Sequence, residues 1–186
     1  ALPVEQETRY PYREDGKFFW RPETPYLDIV GVLTWASAAT ERINVGSSIL
    51  VAGWHDPVAT AKAFATLDTL NGGRTIMGVG TGWMREQFEM LHYPFDTRGP
   101  RTTEFIKLMK HLWTEDTIDF QGEHFQMDKP HNILPKPYRG THPAMWMACG
   151  NPATYAKAGS LGLGALGFNF SSVSQMKPQI DAYKEA

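Results

Sequence analysis

The sequence predicts an α/β fold of parallel strands with helices outside them, on three observations. Strand-like and helix-like stretches alternate four times, the strands are apolar throughout, and glycine or proline marks the turns between them. Strands buried on both faces read as unbroken apolar runs, whereas one-faced antiparallel strands alternate. Such a βα array is either a doubly wound sheet or a (β/α)8 barrel. Four units make about half of a barrel, whose usual length is about 250 residues.

Residues 1–25 are rich in Pro, Tyr, Arg and Glu without a sustained period, and read as a long excursion loop. Leu27 to Thr40 follows as a helix, with Ile29, Leu33, Ala36 and Thr40 on one face and Pro25 before it. Ile43 to Val51 is a short apolar run with β-branched residues, a buried strand. Pro57 opens a second helix at a first-turn position, and Asn71-Gly72-Gly73 closes it. Arg74 to Val79 is the next strand, leading into Gly80-Thr81-Gly82-Trp83. Arg98 to Trp113 is a helix with Phe105, Leu108, Met109 and Leu112 along one stripe. Residues 117–128 alternate around Gln121-Gly122-Glu123 and predict a small hairpin inserted in the array. Ala144 to Ala148 is a strand, Pro152 to Leu161 a helix, Leu163 to Phe168 a strand, and Val173 onward a helix.

The 186 residues carry 18 basic and 20 acidic side chains, a net charge of −2, with 42% hydrophobic residues. That composition excludes a disordered tail, a collagen-like chain and a coiled coil. Near-neutral, interspersed charge gives no footprint for nucleic acid or an anionic membrane surface. No run of about 18 apolar residues is present, so no helix is predicted to span a membrane. A single Cys makes no internal disulfide, and the reducing cytoplasm is the default setting. The chain opens without Met and closes inside a helical pattern, which predicts a fragment.

Several motifs invite chemistry. Gly162-Leu163-Gly164-Ala165-Leu166-Gly167 is a literal G-x-G-x-x-G, but it follows a helix and itself supplies a strand. The dinucleotide fingerprint needs the reverse context, so close packing explains these glycines better. Gly78-Val79-Gly80-Thr81-Gly82 does follow a strand, with Trp83 where a third glycine would fall. It leaves room for close backbone approach to a flat or anionic ligand. The six histidines lack H-x-x-x-H spacing and a partner Cys, so no metal is expected. Asn169-Phe170-Ser171 matches a glycosylation sequon that carries no weight without a secretion signal. Asp68 and Arg74 bracket a turn as an ion pair or caps, and Arg101 with Glu104 reads as a solvated i, i+3 contact.

Cys149-Gly150-Asn151-Pro152-Ala153-Thr154 is more suggestive, because a strand there ends in a glycine turn and a helix starts. Free N–H groups and the positive helix end make an anion site, to which Thr154 adds a hydroxyl one turn in. A plain turn with Asn151 as N-cap explains the same residues. Cys149 is either a thiol activated near a helix start or, with more support, a small packed residue.

Together these pieces resemble the bacterial luciferase-like superfamily of flavin-dependent oxidoreductases. The resemblance runs through Ala38-Ala39-Thr40-Glu41-Arg42-Ile43-Asn44-Val45-Gly46, Asp56-Pro57 and Ala65-Thr66-Leu67-Asp68-Thr69-Leu70-Asn71-Gly72-Gly73-Arg74. It continues through Gly78 to Trp83, Arg98-Gly99-Pro100-Arg101, Leu112-Trp113, Pro135-Lys136-Pro137 and Pro143. Arg9-Tyr10-Pro11-Tyr12 resembles the branch that depends on the deazaflavin coenzyme F420. The resemblance implies a partial (β/α)8 TIM barrel with about four of eight units present and both ends of the barrel missing. It implies one domain over residues 1–186 that binds F420 or FMN at the C-terminal strand ends. By position, Ser48-Ile49 would form a non-proline cis peptide against the ring, and Gly80, Thr81, Gly82 and Trp83 would flank the ring and ribityl chain. Cys149, Gly150, Asn151 and Thr154 would hold the phosphate. The acidic–His pair common in the family would lie outside this chain, so no catalytic residue is assigned.

The expected function is therefore a flavin-type oxidoreductase or monooxygenase acting on a small organic molecule, the fragment alone being inactive. A homodimer is left open for the full-length protein. The rivals are a barrel lyase or isomerase that uses the anion site for a substrate phosphate, and a non-catalytic flavin-binding barrel.

Overall fold

The computed structural model describes residues 3, 5–21, 23–167 and 172–186. Among them the elements run α1 (Ile29–Ala38), β1 (Val45–Gly46), β2 (Leu50–Val51), α2 (Pro57–Leu70), β3 (Thr75–Gly80) and α3 (Arg85–Met90). They continue with α4 (Arg98–Thr114), β4 (Ala144–Cys149), α5 (Pro152–Ser160), β5 (Gly164–Gly167) and α6 (Lys177–Glu185). A 3-10 turn over Val173–Met176 leads into α6, so the last helix starts later than its pattern predicts. Phe168 and the sequon lie outside the described residues.

All strand pairs are parallel, in the order β1 and β2 beside β3, then β4, then β5. This is the predicted array, half of a barrel with its helices on one side. Met77, Val79, Met145, Met147 and Cys149 join the core with Phe64 and Leu67 of α2 and Phe105, Met109 and Leu112 of α4. Ala144 and Trp146 alternate with them and remain exposed on the opposite, inner face. Burying each of these large side chains stabilises by about 1.5–3 kcal/mol. The indole N–H of Trp113 donates to the Ala61 carbonyl at 2.9 Å, so α4 meets α2 without an unsatisfied donor.

The predicted strand over 43–51 divides in two. Ser47 Oγ accepts from the Gly78 N–H at 2.9 Å and donates to the Gly78 carbonyl at 2.8 Å. A side chain thus takes the place of the backbone ladder between β1 and β2. Gly78 is required beside it, since a Cβ there would lie 2.1 Å from the Ser47 carbonyl oxygen.

The turn after α2 is capped, not ion-paired. Arg74 donates to the carbonyls of Thr40 (2.8 Å), Asn71 (2.9 Å) and Ser37 (3.2 Å), and also to that of Ile43. Asp68 instead accepts from the N–H groups of Tyr138 (3.0 Å) and Thr75 (3.3 Å). The Arg101–Glu104 contact fails for a similar reason. Glu104 accepts from the N–H groups of Phe125 (2.6 Å), His124 (3.0 Å) and Glu123 (3.1 Å), inside the turn of the inserted hairpin. Arg101 stacks on Tyr93 and Phe125, 4.8 and 4.7 Å from the ring centres. Backbone donors gathered in one tight turn take the carboxylate, and the guanidinium is held on the two rings instead. The hairpin itself reaches beyond its expected end, with antiparallel bridges Gln121–Gln126 and Ile118–His131.

Gly164 and Gly167 are packing glycines as expected, whereas Gly162 is required by its left-handed backbone and not by packing. Gly162 sits at φ +65° after α5, the Trp146 ring covers Gly164, and a Cβ at Gly167 would lie 2.2 Å from the Tyr155 hydroxyl.

Candidate functional site

The C-terminal ends of β2, β3 and β4 are brought level by their register. Val51 pairs with Gly80, and Val79 with Met147. Two groups of the expected site residues gather there, on opposite sides of β3.

The first group faces the inner side. Ser48–Ile49 is a cis peptide, at the position the resemblance gives. The Ile49 side chain lies over Gly80, where a Cβ would meet its Cδ1 at 2.2 Å and come 3.5 Å from the Ala148 Cβ. Gly82 adopts φ +79°, and a Cβ there would strike Val51 and Phe88. That Phe88 belongs to α3, a six-residue helix that the sequence reading did not find. Its N-cap, Met84, gives no side-chain cap, so its position rests on burying Phe88.

Trp83 turns away from that face into an aromatic cluster. Its ring centre is 4.9 Å from Tyr10 and 5.2 Å from Phe18, and Tyr10 is buried. The excursion loop is thereby folded onto the end of β3. Glu86, at the start of α3, fastens it by accepting from the Glu7 N–H, the Thr8 N–H at 2.7 Å and the Thr8 hydroxyl. Burial pushes the Glu86 carboxyl up, but these hydrogen bonds outweigh it and hold its pKa below the ordinary value. Glu86 is a residue that sequence reasoning missed, because its donors lie 78 and 79 positions away.

The second group faces the helix side. Thr81 and Thr154 open onto one cavity of about 530 Å3, with Met147 as its floor, α4 on one flank and α5 on the other. Asn151 is the N-cap of α5, accepting from the Thr154 N–H at 3.0 Å, and Pro152 is at the first helical position. The N–H groups of Gly150 (3.1 Å) and Asn151 (3.2 Å) do converge, but on the Thr154 Oγ1 and not on an empty point. The plain capped turn, with Asn151 as N-cap, therefore accounts for these hydrogen bonds, and the open anion point expected at their focus is filled by the Thr154 hydroxyl.

The residues fit a phosphate-bearing group at this turn. Gly150 is exposed with nothing within 4 Å of a built Cβ, so a ligand can approach its backbone. Ala153, at the second helical position, lines the cavity, and its N–H takes no acceptor among the described residues. Cys149 is 1% exposed, and its thiol donates to the carbonyls of Met147 and Thr154, both at 3.3 Å. Burial pushes its pKa up to about 11, so it is a packed residue and not a nucleophile.

A parallel half-barrel with its helices on one side defines the βα-barrel class of fold. More particularly, the chain belongs to the luciferase-like monooxygenase family, whose model matches residues 14–186. Two curated relatives are each 32% identical. One is an FMNH2-dependent dimethylsulfone monooxygenase of Pseudomonas putida, aligned over 77% of this chain and 40% of the relative. The other is an F420-dependent glucose-6-phosphate dehydrogenase of Amycolatopsis mediterranei, over 78% of this chain and 44% of the relative. Among solved structures, a monooxygenase from Streptomyces bottropensis superposes with a TM-score of 0.78 at 24% identity, covering 85% of this chain and 48% of the other. The chain spans about half the length of the curated relatives it matches. Among the described residues no helix is long and apolar enough to cross a membrane.

Proposed function

We propose that the protein is an FMN- or F420-dependent oxidoreductase, of monooxygenase or dehydrogenase type, acting on a small organic substrate. The observation that carries this reading is that Thr81, just past the end of β3, and Thr154, in the first turn of the helix after the adjacent strand β4, open onto one cavity. Relatives that use FMN and relatives that use F420 both support it.

In this reading the phosphate sits on the helix side at Gly150, Asn151 and Thr154, and the chain crosses the end of β3 at Thr81 and Gly82 to bring the ring against Ile49 and Gly80 on the inner side. The bound cofactor supplies the redox chemistry. Gly80 makes room for the Ile49 side chain, and Gly82 for Val51 and Phe88, so these glycines set where the neighbouring side chains stand beside the ring position. The start of α5 contributes the positive end of its dipole and the Ala153 N–H, both suited to a phosphate. The N–H groups of Gly150 and Asn151 donate to Thr154 Oγ1, which donates to the Asn151 carbonyl, so a phosphate would have to displace these contacts to use them. The loop over Trp83 restricts water at the strand end and forms a wall of the substrate pocket. The buried free thiol of Cys149 agrees with a reducing, cytoplasmic setting.

Titration of the intact protein with FMN and with F420, followed by cofactor fluorescence, tests the reading. Gly150→Asp puts a carboxylate into open space beside the phosphate position, without a clash in the fold. The affinity of whichever cofactor binds should fall about tenfold or more, roughly 1.4 kcal/mol. Unchanged affinity in that variant would place the phosphate elsewhere.

A further inference from the structure

The excursion loop carries more aromatic surface than its fastening needs. Tyr10 and Phe18 pack on Trp83, and Glu86 accepts the hydrogen bonds that dock residues 7 and 8. From there the rings continue outward. Between ring centres, Phe19 lies 5.2 Å from Phe18, Trp20 lies 5.8 Å from Phe19, and Tyr26 lies 5.1 Å from Trp20. These last three side chains are 59%, 38% and 61% exposed. Large aromatic side chains left open in one contiguous row mark a contact surface, whereas scattered ones do not.

The row itself says what kind of molecule it fits. Its successive planes are tilted by 49°, 38° and 63°, so it offers ring faces and ring edges in turn. A further aromatic ring extends that pattern in offset or edge-to-face contact, which adds to plain burial of area. A saturated molecule gains the area alone. The open rings are carried by residues 18–20 and 25–27, which hold no charged side chain. An ionised group brought against those segments would lose hydration without a charged partner in them. The row also has a direction. It begins at Trp83, one residue past Gly82, where the proposed cofactor chain crosses the end of β3.

Resting on the reading above, we propose that this row is the specificity wall of the substrate site, and that the substrate is an uncharged molecule with a flat aromatic ring. Phe19 and Trp20 are the specificity-determining residues. Tyr10, Phe18 and Trp83 hold them in place, so the wall exists before the substrate arrives and little ordering cost falls on binding.

Flat 2-naphthol and puckered decahydro-2-naphthol share one carbon skeleton and one hydroxyl, and so separate ring recognition from plain burial. Their dissociation constants are measured by calorimetry with the intact, cofactor-loaded protein. The comparison is Phe19→Leu/Trp20→Leu, which keeps apolar surface and removes the π faces. The affinity ratio should favour 2-naphthol by roughly two- to tenfold more in the parent than in the variant, about 0.4–1.4 kcal/mol. The urea midpoint and the cofactor affinity should be the same in both, because the two side chains are exposed. Bound 2-naphthol should also shift the fluorescence of the bound cofactor. An equal ratio in parent and variant would overturn the proposal and leave the oxidoreductase reading standing. So would a cofactor signal that 2-naphthol does not move. A sedimenting dimer of the parent that the variant loses would overturn it too, making the row an interface between two copies. Failure of both FMN and F420 to bind would overturn the reading and the proposal together.

Discussion

At the N-terminal end of the sheet, the turn from α2 into β3 is closed by Asp68, Asn71 and Arg74. At the C-terminal end, the turn from β4 into α5 is closed by Asn151 and Thr154. The first set is largely buried and reaches far along the chain. Asn71 bonds Ser37 and Thr75, Arg74 bonds Thr40 and Ile43, and Asp68 bonds Tyr138, 70 residues away. The side chains of the second set bond only within residues 150–154, and the turn remains accessible at Gly150 and Asn151. Two capped turns of similar sequence grammar thus differ in reach. One ties four segments together, and the other leaves its outward side available to a ligand, as the two ends of a βα barrel divide stability from function.

The sharpest way to break this contrast is Arg74→Ala. It removes guanidinium hydrogen bonds to four backbone carbonyls. Stability should fall by about 2–4 kcal/mol, read from urea unfolding, while cofactor affinity of the folded protein stays the same. A change in affinity with intact stability would reverse the assignment of the two ends.

Thr154→Val is the mirror experiment. Its lost oxygen serves only neighbours three or four residues away, so stability should drop by about 1 kcal/mol. Cofactor affinity should fall severalfold in the same variant. A stability loss equal to that of Arg74→Ala would show that this turn, too, is a structural tie.

The smallest effect concerns Cys149. With its pKa at about 11 in the fold, roughly one thiol in ten thousand is ionised near pH 7, and alkylation of the native protein should be slow. The folded value lies above the ordinary thiol value of 9.0, so the unfolded chain ionises first as pH rises. The thiol's contribution to stability is full below about pH 9 and is lost as pH climbs toward about 11. Urea midpoints across that window should slope downward more steeply than in Cys149→Ala. Rapid alkylation at neutral pH would make the thiol part of the open site after all.

The same contrast governs what the sequence made legible. The two glycine turns, Pro57 and Pro152 at helix starts, and the apolar runs of β3 and β4 are local signals, and they appear in the structure where the pattern puts them. The break between β1 and β2 is not local, because it depends on Ser47 meeting Gly78 31 residues later. Likewise Glu104 and Glu86 look like solvated helix acids until the hairpin and the loop arrive to use them. At the candidate site the residue types were readable, since a strand, a glycine turn and a capped helix announce an anion position. The hydrogen bonds of Gly150 and Asn151 were not, because they follow from where the Thr154 side chain sits.

The fastening of the excursion loop has an evolutionary consequence. Residues 6–18 are organised largely among themselves, with Tyr10 N–H on the Gly16 carbonyl and Phe18 N–H on the Gln6 side chain. They meet the barrel through an acid at Glu86 and a ring at Trp83. Such a loop behaves as an interchangeable cassette, one that can vary in length and lining while its two docking points stay put.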